Sequence, residues 1–92
     1  MSDAELLEAL GLALVGEGWC VVPLHDDGPV RLRVFHPSMP GFGETVRVMS
    51  HRSGPWFRSS TLELMAWCDD IPRAVAYVER ELGALVRGRA PV

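Results

Sequence analysis

Val30-Arg31-Leu32-Arg33-Val34 and its shorter counterpart Val46-Arg47-Val48 decide how this chain is read. In both, branched apolar residues alternate with arginines, and a two-residue period sends one set toward a core and the other away from it. That is the pattern of half-buried strands. The sheet they predict has one apolar face and one face bearing guanidinium groups. Between the two runs lies Pro37-Ser38-Met39-Pro40-Gly41-Phe42-Gly43, whose two prolines and two glycines argue against regular structure and leave Met39 and Phe42 either exposed or tucked in.

Working outward, Trp19 to Leu24 is a short apolar run that reads as a first strand. His25-Asp26-Asp27-Gly28-Pro29 is a turn by chemistry. Val30 to His36 forms the second strand and Glu44 to Ser50 the third. After the turn Arg52-Ser53-Gly54-Pro55 come Trp56 to Ser60 and Leu64 to Cys68. The break at Thr61-Leu62-Glu63 reads as a tight reversal or as a bulge in one long strand, so the count is four or five.

Helices flank this region. Ser2 followed by Glu5 makes a capping box, and Leu6, Leu7, Leu10, Ala13 and Leu14 then fall on one side at helical spacing. Leu12 and Val15 widen that stripe beyond what a small domain needs, which predicts burial on two sides or contact with another chain. Gly16 and Gly18 end the helix. Asp70 is the expected N-cap of a second helix, with Pro72 in its first turn. Ile71, Val75, Val78, Leu82 and Leu85 form its apolar seam to about Val86, and residues 87–92 read as a frayed tail. The predicted fold is therefore a single α+β domain over residues 1–92. It is a two-layer sandwich in which an N-terminal and a C-terminal helix cover the apolar face of an antiparallel meander sheet.

With 48 % hydrophobic and 23 % charged residues the composition is globular, not disordered. No apolar run approaches the roughly 20 residues of a membrane span. The start, Met1-Ser2-Asp3-Ala4-Glu5, is acidic where a secretory signal would be basic, so a cytoplasmic protein is expected. Cys20 and Cys68 are too few for a disulfide framework and sit in apolar runs, as reduced buried thiols do. All nine basic residues are arginines, which a GC-rich genome explains as readily as a need for bidentate anion contacts. The charge is uneven: residues 1–29 hold six acids and no arginine, whereas residues 30–60 hold five arginines against Glu44.

The segments Gly54-Pro55-Trp56-Phe57-Arg58-Ser59-Ser60 and Cys68-Asp69-Asp70-Ile71-Pro72-Arg73-Ala74, the latter opening an amphipathic helix, resemble small actinobacterial proteins of unknown function. The likeness runs loosely from Trp19 to Leu85 and implies the α+β fold, with no catalytic residues to carry over. Leu62, Glu63 and Trp67 depart from it, standing where a glycine-containing turn and smaller residues are expected.

Chemistry-bearing patterns are scarce. Cys20, His25, His36, His51, Cys68, Asp69 and Asp70 lack the close paired spacings of zinc ligands, so no metal is expected. Ser59 or Ser60 with His51 and Asp69 has no strained nucleophile turn, and Gly41-Phe42-Gly43 precedes a strand where a phosphate cradle precedes a helix. A non-enzymatic module without cofactors is the expectation. Arg31, Arg33, Arg47 and Arg58, flanked by Trp56 or Phe57, are its candidate binding residues, set against the plainer alternative that they pair with Glu44, Glu63 or the acidic first helix. Trp19 and Trp67 are assigned to the core and Trp56 to the surface. A protein partner or a second protomer is expected, making a homo-oligomer. Nucleic acid ranks lower, because the chain is acidic and lacks aromatic RNA-binding signatures.

Overall fold

The computed structural model describes residues 1–26 and 28–88. The order is helix α1 (Asp3–Gly16), strands β1 (Cys20–Leu24), β2 (Arg31–Phe35), β3 (Gly43–Met49), β4 (Trp56–Arg58) and β5 (Leu64–Trp67), and helix α2 (Ile71–Gly88). The strands form one antiparallel meander in the order β1-β2-β3-β4-β5. Both helices pack on the same side of it, α1 over β1 to β3 and α2 chiefly over β5. The α+β sandwich predicted from the alternating runs is the fold observed, with five strands.

Local chemistry explains the boundaries. Ser2 and Glu5 form the reciprocal capping box, the hydroxyl accepting from the Glu5 amide and the carboxylate from the Ser2 amide. These bonds hold the Glu5 carboxyl below its usual range. At the other end Gly18, with φ of 92°, lets the Gly18 and Trp19 amides turn back onto the Val15 and Leu14 carbonyls. This doubly bonded termination drops Trp19 beside Leu14 and into the core, where the ring is 4 % exposed. Its indole N–H donates to Glu79 at 2.8 Å, tying the start of β1 to α2. Asp70 caps α2 by accepting from the Arg73 amide.

The core runs from Leu7, Leu10 and Leu14 through Leu32, Val34, Val46 and Phe57 to Ala74, Val78 and Leu82. Met39 closes one end of it, while Phe42 stays in solvent. Under the sheet, buried Glu44 accepts from both the amide and the hydroxyl of Ser60. Ser59 accepts from the Glu63 amide in turn, so the β4–β5 reversal is locked by side chains.

Five expectations need correction. Trp67 is not a core residue: it is 37 % exposed, whereas Trp56, assigned to the surface, is half-buried. A bulge between Phe57 and Arg58 buries both Met65 and Ala66, so the alternation skips a step and Trp67 swings outward. Leu85, assigned to the seam of α2, is 48 % exposed, and Tyr77 is buried instead. Val86 packs against the core, and Leu85, one position round the helix, turns outward. Cys20 is half-buried, not buried. The helix continues through Arg87 and Gly88, the start of the expected tail; the rest of that tail, residues 89–92, lies outside the described residues.

Cys68 is buried, and desolvation, reinforced by the negative charges of Asp3 and Asp69, pushes its thiol up to about 11. The folded state thus keeps a proton that the unfolded chain releases from its ordinary value of 9.0 upward. Stability tied to this thiol is complete below that value and declines as pH rises toward 11, by at most about 1.4 kcal/mol per pH unit. Urea unfolding across this window is expected to fall more steeply for the wild type than for Cys68→Ala; equal slopes contradict the assignment.

Candidate interaction face

Register and alternation fix what the uncovered face carries. Leu32, Val34, Val46 and Phe57 point to the helices, so their strand neighbours Arg33, Thr45, Arg47, Trp56 and Arg58 point away. Arg47 is directly opposite Arg58, and Arg33 is opposite Thr45 and Val22. Two residues further along, Met49, Trp56 and Trp67 lie side by side across β3, β4 and β5. Leu64, opposite Arg58, extends the arginine row to the sheet edge.

Arg31 begins on the same side but leaves the cluster. Its guanidinium turns to the β1–β2 hairpin and pairs with Asp26 at 2.8 Å, the one salt bridge among the described residues. Arg33 lies flat over Gly43: a Cβ there would come within 3.0 Å of its terminal nitrogen and 2.5 Å of the Val34 carbonyl. Only a glycine admits that close approach. The structure therefore gathers Arg33, Arg47, Arg58 and Trp56 of the sequence candidates on one face and diverts Arg31.

The electrostatics of this face are unusual. Like charges placed directly opposite in a sheet repel, and Arg47 and Arg58 have no carboxylate within salt-bridge reach among the described residues. The acids that sequence reasoning offered them are engaged elsewhere, Glu44 with Ser60 and Glu63 with Thr61. The Nε atoms of Arg47 and Arg58 are buried without a hydrogen-bond partner, and among the described residues they are the side-chain polar atoms left so. Unsatisfied buried donors are rare and need a reason.

Sequence reasoning missed Trp67 and Leu64 as members of this face. The available signal was the unbroken apolar run Leu64-Met65-Ala66-Trp67, which no strict two-residue alternation accommodates.

A second feature lies on the helix layer. Beside α1 and β1 is an apolar groove of about 280 Å³, with Glu8, Leu12 and Val15 on its helix wall and Val21 and Pro23 on its strand wall. Leu12 and Val15 are 69 % and 54 % exposed. Among the described residues no three His, Cys, Asp or Glu side chains converge as metal ligands do, and no helix is long and apolar enough to cross a membrane. The fold and face define an α+β sandwich with a basic, aromatic sheet surface. No family model, no curated protein and no solved structure matches this chain.

Proposed function

We propose that this domain is a non-enzymatic interaction module, regulatory in character and cytoplasmic, that grips an acidic surface of a protein partner with the open face of its sheet. The observation that carries this reading is the opposed Arg47–Arg58 pair, uncompensated and with buried Nε donors unsatisfied, next to Trp56 and Trp67. A carboxylate seated against two guanidinium groups removes their repulsion and accepts charge-assisted hydrogen bonds from both. The adjoining indoles supply the large rigid contact area on which interfaces concentrate their energy. Two free cysteines fit a reducing compartment.

Titration with a short labelled polyglutamate peptide tests the reading. Binding is expected to quench or shift tryptophan fluorescence, to weaken roughly tenfold as salt rises from about 0.05 to about 0.5 M, and to vanish in Arg47→Gln/Arg58→Gln. Failure of the peptide to bind at low salt overturns the proposal. Binding of a single-stranded oligonucleotide in its place would make the face a nucleic-acid surface, with the salt dependence that counterion release imposes.

A further inference from the structure

We infer that the acidic partner of the open sheet face is the α1–β1 side of a second copy of this chain, so that the domains stack helix layer on sheet. The inference rests on the reading of the open face given above and names its occupant. Three observations converge on it.

The first is charge. The outer surface of α1 carries Asp3, Glu5 and Glu8, and no arginine or lysine occurs before Arg31. The open face carries Arg33, Arg47 and Arg58 without a salt-bridged acid among the described residues. Within one molecule the two surfaces lie on opposite layers of the sandwich, so neither neutralises the other. A second copy brings them together.

The second is pattern. Glu5, Glu8, Leu12 and Val15 recur at steps of three, four and three, making one exposed stripe that is acidic in its first half and apolar in its second. The sheet face has the complementary order, with Arg47 and Arg58 beside the exposed Leu64 and Trp67. From Glu8 to Leu12 the helix rises about 6 Å. On the sheet, cation and apolar neighbour are one strand or two residues apart, about 5 to 7 Å. The two patterns coincide at the same scale.

The third is shape. The groove between α1 and β1 has room for one large side chain: its volume of about 280 Å³ compares with the roughly 150 Å³ of an apolar cavity that holds benzene. Trp67 is the exposed aromatic of the opposing face. In the proposed contact the exposed edge of this indole, which packs on its other side beside His51, meets the groove, and Glu8 on the helix wall pairs with Arg58 of the other copy. Arg31, near the far end, is already neutralised by Asp26 and offers no repulsion.

Such a contact joins two different surfaces, so it is heterologous: it propagates or closes into a ring. That property gives a decisive test. Sedimentation velocity of the wild type up to about 1 mM is expected to show association that falls roughly tenfold in affinity between about 0.05 and about 0.5 M salt. Glu8→Gln/Leu12→Gln removes the helix surface and Arg47→Gln/Arg58→Gln the sheet surface, and each variant alone should remain monomeric. Mixed, they should form a single dimer containing one of each, because each keeps the surface the other lacks. Glu5 is left unchanged to preserve the helix cap. A wild type that stays monomeric at low salt while still binding polyglutamate overturns this inference and leaves the acidic-partner reading standing. A monomer that binds no polyglutamate overturns both. Self-association of the wild type without dimer formation in the mixture assigns the contact to other surfaces and also overturns the inference.

Discussion

Phe57→Ala is expected to lower the stability of the domain by about 4 kcal/mol, the largest effect of any single truncation in this chain. Phe57 is fully buried, and it sits on β4 between Val48 of β3 and Ala66 of β5, where both helices' layer meets the short end of the sheet. Truncating the ring removes the transfer free energy of an aromatic side chain and leaves a void that three paired strands hold open. A chain of this length has about 5 to 13 kcal/mol of net stability, so the variant loses a large part of it. The melting temperature should fall by roughly 20 °C. The contrast is Leu12→Ala, an apolar residue of similar hydrophobicity that is 69 % exposed, whose melting temperature should stay within a few degrees of wild type. A loss for Phe57→Ala under about 1 kcal/mol would mean the ring is not packed as described.

The same residue shows where strand register decides what the sequence leaves open, since Phe57 as well as Trp56 is there a candidate flank of the basic face and the structure buries it. Phe57 lies between Trp56 and Arg58 in a three-residue strand, and its burial follows from the alternation that Val46-Arg47-Val48 sets across the β3–β4 register. Capping signals are equally local: Ser2 with Glu5, Gly18 after α1 and Asp70 before α2 each act over three to five residues, a span that a linear reading captures. What failed was non-local. The bulge that turns Trp67 outward exists because β5 must pair with β4 while Met65 and Ala66 both meet α2, and neither constraint is written in the Leu64–Trp67 segment itself. Leu85 is exposed while its neighbour Val86 packs against the core, a choice set by how α2 lies on the other elements.

The candidate face was legible to the same degree. Alternation alone places Arg33, Arg47, Trp56 and Arg58 on one side. It does not say that Arg31 is withdrawn by Asp26, or that Glu44 is consumed by Ser60 beneath the sheet, because those depend on hairpin conformation and on the β4–β5 reversal. Those two side-chain choices turn an ordinary solvated sheet into a surface with cations to spare.

Arg58→Glu is expected to move stability and binding in opposite directions. In the free domain Arg58 faces Arg47 across the β3–β4 pair, and the Arg47 Nε has no acceptor. A glutamate at position 58 converts a like-charge pair into an opposite-charge pair, worth about 0.2 to 1 kcal/mol in a sheet, and offers Arg47 the acceptor it lacks. The melting temperature should rise by about 2 to 5 °C. The same change places a carboxylate where the partner's carboxylate must sit, so polyglutamate affinity should drop by at least about tenfold through repulsion and loss of a charge-assisted bond. Arg52→Glu, an equal change of charge in the exposed turn after β3, should alter neither property beyond a few tenths of a kcal/mol. The sign separates two roles for the pair. If Arg58 serves only to cover the sheet with its aliphatic stem, shortening it destabilises the domain; if it is held against Arg47 for an anionic partner, the free domain gains stability as the function is lost. Thermal unfolding and peptide titration on the same three proteins decide between them, and a variant that is both less stable and equally good at binding rules out the anionic-partner role.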